Sequence, residues 1–184
     1  MRPVPLPQPV RRALVRARSR GRVKLGAGVR LGARVKLEAA PGARILIGEG
    51  CRLREATRLH AVAGEIRVGS RTRLGERCVL VALAGIEIGE DCRFDEAVLV
   101  VDTDPVYADV ETPIRLQGVR SEPVHIGADV VAYRAAVVVR GVSVGEGARI
   151  GAHAVVTHDV PAGASVSGTP TRPTPWRSGS PTAP

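Results

Sequence analysis

The sequence predicts an all-β protein, a three-sided prism of stacked parallel β-coils, and three observations predict it. A six-residue pattern recurs with a bulky, mostly aliphatic third position, as in "VKLGAG VRLGAR VKLEAA" and "IRVGSR TRLGER CVLVAL". The longer steps between bulky positions (37 to 47, 59 to 68, 80 to 88, 100 to 126 and 156 to 166) all fall at one corner of an eighteen-residue coil. Aromatic residues make up only 2% of the chain, so the interior must be narrow and filled by Val, Leu, Ile and Ala. Self-similarity at a fixed period is the signature of a solenoid, whose coils are stable only when stacked. A sandwich of amphipathic strands is the alternative, but it has no reason to keep its insertions at one corner.

The bulky positions define the coils. They are Leu25, Leu31, Leu37, Ile47, Leu53, Leu59, Val68, Leu74, Leu80, Ile88, Phe94, Val100, Ile126, Ala132, Val138, Val144, Ile150, Val156 and Val166. This makes six turns and the start of a seventh, with Val166 read as the seventh coil's first face. Glycine follows the first-face position at 26, 48, 69, 89, 127 and 145. These glycines are read as corner residues that adopt the backbone angles of a sharp turn. Cys51, Cys78 and Cys92 occupy the small inward position and are expected to be free thiols packed in the core.

Around the coil, residues 1–22 form a basic N-terminal segment, residues 23–170 the prism, and residues 171–184 a Pro/Ser-rich tail expected to be disordered. "VRRALVRARSR" is expected to be a short helix after Pro9, capping the open end of the prism. Residues 1–22 hold seven arginines and no acid, whereas residues 23–170 hold 18 basic and 18 acidic groups. The folded part is therefore neutral, which argues against a specific nucleic-acid groove. The tails keep the option of touching anionic lipid or polymer. No apolar run approaches a membrane span and no secretory h-region is present, so a cytoplasmic location is expected.

One segment breaks the repeat. "VVDTDPVYADVETPI" lies in the longest step, and residues 101–123 are expected to leave the prism as an extruded loop. Two positions past the third-face markers, Asp102 and Arg140 fall on adjacent coils and are expected to pair, pinning the loop's root. His158 falls one coil further, and Arg140 and His158 are expected to line a groove edge. His60 and His125 read as outer-face residues, His125 in a column with Arg67 and Glu87. His153 and His158 make an H-x4-H pair. Catalytic zinc needs three convergent protein ligands, no third histidine is well placed, and no metal is expected.

The hexads resemble the left-handed β-helix of the hexapeptide-repeat acyltransferases. The stretch from Asp102 to Arg172 is similar to the C-terminal half of the sugar O-acetyltransferases in that group, through the extruded loop, "GVSVGEGARIGAHAVVTHDVP" and "GTPTR". The resemblance covers residues 23–172. It implies a left-handed coil, where the usual crossover rule alone implies a right-handed one. It further implies a homotrimer, acyl-CoA (acetyl-CoA) held between neighbouring prisms, and a loop histidine as general base. The loop here reads Asp102-Thr103-Asp104-Pro105-Val106-Tyr107: the flanking acids and the aromatic match, and the histidine position holds Pro105. Proline accepts no proton, so Asp104 becomes the candidate substitute base. Tyr107 is the candidate wall of the acceptor pocket, and Arg140, Gly151, Ala152, His158 and Arg172 are the candidate cofactor-binding residues. The implied activity is acyl transfer to a hydroxyl or amine of a sugar-like acceptor. The alternative is a lapsed relative acting as a trimeric scaffold or CoA-binding protein.

Overall fold

The computed structural model describes residues 7–173. The tail residues Trp176 and Arg177, and the disorder expected beyond Pro173, lie outside the described residues. The chain winds into an all-β solenoid of about six turns, a left-handed β-helix. Its three faces are parallel sheets. The first face runs from Val23–Leu25 through Arg44–Ile47, Glu65–Val68, Ile86–Ile88 and Val124–Ile126 to Ser143–Val144. The second starts at Arg30–Leu31 and the third at Lys36–Ala39. Every strand pairs with the strand one coil away, so each bulky residue stacks on its equivalent: Leu53 on Leu74, Leu59 on Leu80, Ile66 on Ile86. The single Phe, Phe94, lies level with Ala132 in the next coil, a large side chain beside a small one. Both are buried.

The corners explain how two- to four-residue strands hold together. Every first–second and second–third corner carries one residue in the left-handed region. Glycine serves at Gly28, Gly50, Gly147 and Gly163, while Arg34, Ala56, Arg71, Arg77, Asp91, Ala97, Asp129, Ala135 and His153 serve elsewhere at φ between 52° and 59°. A non-glycine residue there costs about 1 kcal/mol or more, and the stack must offset it. Corner N–H groups do so by bonding the preceding coil, as in Arg71 N–H to Glu49 O at 2.7 Å and Asp91 N–H to Ser70 O at 2.9 Å.

The glycines after the first-face positions have a different cause from the one expected. Gly69 has no positive φ; a Cβ placed on it would sit 2.4 Å from the carbonyl carbon of Gly89 one coil on. Gly26, Gly48, Gly89, Gly127 and Gly145 are crowded by backbone in the same way. Close approach between coils, not turn angle, demands glycine there. Gly69→Ala is expected to destabilise the protein by about 2–3 kcal/mol, because backbone must move to admit the methyl. Chemical denaturation measures it, and a loss below about 0.5 kcal/mol would show that the coils part easily.

The end of the prism also differs. Val166 belongs to the second face, paired with Ile150, and the first face of the last coil is made by Val160, bridged to Val144. The step from 156 to 166 is therefore no corner insertion. Pro161 follows Val160 directly and keeps this last first-face segment down to a single bridge. The last described strand, Arg172–Pro173, runs antiparallel to Val166–Ser167.

The cysteines are buried and free. Each thiol donates to a carbonyl of the next coil: Cys51 to Gly69 O at 3.0 Å, Cys78 to Asp95 O and Cys92 to Gly127 O, both at 3.1 Å. Burial pushes all three thiols up, Cys78 to about 11. Such thiols are poor nucleophiles.

At the other end lies helix α1, Gln8–Ser19, which starts directly after Pro7 with Pro9 in its first turn. It crosses the open end of the prism and touches the first strands of all three faces. Its polar side chains serve the exposed coil edge. The Gln8 amide donates to Leu31 O at 2.9 Å and accepts from Leu31 N–H at 2.8 Å, as a neighbouring strand would. Arg11 and Arg12 donate to Leu31 O and Gly26 O at 2.7 and 3.0 Å.

Candidate functional site

The chain leaves the third face after Leu99–Val101 and rejoins the first at Val124–Ile126. Between them it forms an arm. Thr103–Pro105 pairs antiparallel with Val119–Ser121, and a helical turn, α2 (Ile114–Gln117), lies near the tip. Asp109 organises the tip by accepting from Thr112 Oγ1 at 2.6 Å and Glu111 N–H at 2.9 Å, and these bonds hold its carboxyl below the ordinary aspartate range.

Asp102 is fully buried at the arm's root. Its carboxylate accepts from three successive backbone N–H groups of the preceding coil: Leu83 at 2.8 and 2.9 Å, Ala84 at 2.8 Å and Gly85 at 2.6 Å. This corrects the expected pair between Asp102 and Arg140. The two residues are level in the coil register, two past Val100 and Val138. The Asp102 side chain turns back to the Leu83–Gly85 corner, whose N–H groups converge and would otherwise lack acceptors. The root is fastened there and by Glu122 N–H donating to Asp102 O at 3.0 Å.

Arg140 instead holds the two strands of the arm. Its Nε bonds Asp104 Oδ2 at 2.9 Å and its Nη1 bonds Glu122 Oε1 at 2.6 Å. The guanidinium side chain is about a quarter exposed, its partners about half. Glu122 was missed from the sequence. The available signal was its place, two residues before Val124, where the repeat resumes. His158 stands one coil beyond Arg140, by the register of Val138 with Val156. Its Nδ1 lies 2.9 Å from Thr157 Oγ1, and its Nε2 has no hydrogen bond among the described residues. Asp104, Glu122, Arg140, Thr157 and His158 share one groove of about 530 Å³. The groove thus offers a clamped carboxylate pair, a cation and an imidazole.

Other predicted residues lie apart from it. Pro105 sits in the arm opposite Val119, with no N–H to give the ladder. Tyr107 is 72% exposed on the arm and does not line the groove. Gly151 and Ala152 lie at the second–third corner, across the third face from His158, where Gly151 N–H donates to Val166 O at 2.8 Å. Arg172 lies in the last, antiparallel strand of the second face. His153 occupies the second–third corner at φ 58° and His158 the third–first corner, so the H-x4-H pair is split between corners. His125 stands level with Glu87, its Nδ1 3.6 Å from Glu87 Oε2, and Glu87 is level with Arg67.

A second, larger cavity of about 990 Å³ runs along the second face. Arg30, Arg52, Arg73 and Arg93 stack down it in register. Arg93 pairs with Asp95 at 3.1 Å, while the neighbouring acids Glu55, Glu76 and Glu96 are engaged by Arg34, Arg54, Arg77 and Arg134. Like charges about 4.8 Å apart repel, so this face favours anions.

No family model matches the chain. It is 32% identical over 143 residues to "Probable acetyltransferase Rv3034c" of Mycobacterium tuberculosis, covering 78% of this chain and 46% of that protein. The chain thus spans less than half the length of this curated relative. Among solved structures, an N-acyltransferase from Bacillus cereus, AntD, in complex with dTDP and 3-hydroxybutyryl-CoA, superposes with a TM-score of 0.75 at 17% identity, covering 89% of this chain and 86% of that one. A hexapeptide-repeat acetyltransferase of Vibrio cholerae, VCA0836, complexed with acetyl coenzyme A, gives 0.67 at 21% identity, covering 92% and 77%. With the hexad repeat, the coil and the arm at its corner, these likenesses place it: the chain has the left-handed β-helix fold of the hexapeptide-repeat proteins, and the proteins it is similar to are acyltransferases.

Proposed function

We propose that the protein transfers an acyl group from acyl-CoA to a hydroxyl or amine of a sugar-like acceptor. The groove at the arm's root carries this reading, because Asp104, Arg140, Glu122 and His158 converge where the coil is interrupted. Attack on a thioester needs a proton acceptor beside the nucleophile and donors for the developing oxyanion. Two acceptors are present. Asp104 already accepts from Arg140 Nε at 2.9 Å, so the oxygen turned toward the groove's cation is occupied. His158 is better suited: when its Nδ1–H donates to Thr157 Oγ1, Nε2 keeps its lone pair for the acceptor's proton. Asp104 and Arg140 then set the groove's shape and charge. Backbone N–H groups of the coil are the proposed oxyanion donors, and Gly151, Ala152 and Arg172 the far edge of the CoA site.

The working unit in this reading is a homotrimer in the cytoplasm. Tyr107, Val110, Ile114, Leu116 and Val119 on the arm are all more than half exposed. Val79, Val81, Leu99, Val101, Val137 and Val139 make an aliphatic outer surface on the third face. A neighbouring copy would cover both.

CoA release from acetyl-CoA and longer acyl-CoA, measured over a panel of sugars and amino sugars, tests the proposal. Turnover by the unmodified chain is expected. CoA binding without turnover on any acceptor, and turnover only after Pro105→His, would instead establish a lapsed enzyme that keeps the site as a scaffold.

A further inference from the structure

Helix α1 is amphipathic the wrong way round for a cap. A surface helix ordinarily buries its apolar stripe and shows its polar face to water. Here the side toward the prism carries Gln8, Arg11, Arg12, Val15 and Ser19, of which only Val15 packs on the core. The opposite side, at i, i+3, i+4 and i+7, carries Val10, Ala13, Leu14 and Ala17, all exposed. Val10 and Leu14 are 41% and 39% exposed on an element whose orientation is held by four hydrogen bonds to the coil edge. Rolling the helix over to hide the stripe would strip acceptors and donors from Leu31 and Gly26, so the apolar side stays outward.

The charge around the stripe points to its occupant. Arg18 and Arg20 are exposed on the same helix end, and residues 1–22 contain seven arginines without one acid. A second copy of the helix would bring like charges together. An anionic lipid surface takes both features at once: the small apolar stripe enters the headgroup boundary, and the arginines meet the phosphates. No helix among the described residues is long and apolar enough to cross a membrane, and surface docking requires none. We propose that α1 docks the protein end-on to an anionic membrane. The helix is sandwiched between the prism, which its polar side satisfies, and the lipid, which its apolar side enters. The prism axis then stands off the surface.

Co-sedimentation of the full chain with phosphatidylcholine vesicles, with and without phosphatidylglycerol, tests this. Binding only to the anionic vesicles, weakening as salt rises, is expected. The pair Val10→Gln and Leu14→Gln keeps good helix formers and should lower binding about tenfold or more, with the thermal midpoint unchanged because neither side chain packs on the coil. Arg18→Gln with Arg20→Gln should weaken binding and flatten its salt dependence. Arg52→Gln with Arg73→Gln, on the arginine-lined second face, should leave it intact. Four results would overturn the proposal: no binding by the unmodified chain; binding insensitive to the Val10 and Leu14 changes; loss through Arg52 and Arg73 instead; or a changed oligomeric state in the Val10/Leu14 variant, which would make the stripe a contact between copies.

Discussion

Replacing Asp102 by alanine is expected to cost about 3 kcal/mol of folding stability, read as a lowered denaturation midpoint. The carboxylate is fully buried and receives three backbone N–H groups. Removing it leaves those donors without an acceptor, at about 1–3 kcal/mol for each that water fails to reach. Ala84 is exposed and will be partly rehydrated, which holds the total below the sum. Asp102→Asn keeps the shape but replaces an acceptor-only group by one bearing donors, and should recover less than half of the loss. The same variants should loosen the arm, because Glu122 N–H bonds Asp102 O and Arg140 then joins Glu122 to Asp104. Faster proteolysis within residues 103–121 than elsewhere is the matching observation. An alanine variant as stable as the parent would mean that the Leu83–Gly85 corner needs no acceptor.

Replacing His158 by glutamine is expected to lower kcat by about 10²–10³ with little change in KM for acyl-CoA, the range for loss of a general base. Glutamine preserves bulk and a bond to Thr157 but takes no proton at neutral pH. Asp104→Asn should have the smaller effect, about tenfold, because a carboxylate already paired with Arg140 contributes chiefly by position. A loss in Asp104→Asn equal to or larger than that in His158→Gln would return the role of base to Asp104. A rise in KM for acyl-CoA with kcat unchanged in His158→Gln would make the imidazole a CoA contact only.

The hexad repeat was legible because its physics is local. An inward residue every second position and a bulky one every sixth leave the same trace wherever a coil occurs, and Leu53, Leu74 and Phe94 lie where that trace puts them. The trace also located the arm, since a corner is where an insertion interrupts no ladder. It misled where one residue type answers two needs. Glycine suits both a positive φ and a close approach, and only the stacked coils show that Gly69 is there for the second. Val166 was put on the wrong face because nothing in one strand's residues tells which neighbour it joins at the end of a stack. His153 and His158 read as a pair because four residues separate them, yet the third-face strand Val155–Val156 lies between them and sets them at different corners.

The site was legible only in outline. Arg140 and His158 were named singly from their places in the repeat, and Asp104 from the loop's resemblance to the family motif. Their convergence depends on how the arm returns, which brings Glu122 back to the coil twenty residues after Asp102 left it. Side-chain direction chose between Asp102 and Asp104 as the partner of Arg140. The unsatisfied N–H groups of a neighbouring coil made that choice, and they have no counterpart in the residues of the loop itself. The same holds at the N-terminus. By itself the sequence determined a short, arginine-rich, acid-free helix, because composition and charge are properties of residue order. Only the tertiary structure decided which side of it faces outward, because the coil edge beneath is polar and takes the glutamine and arginines, leaving Val10 and Leu14 to whatever lies beyond the prism.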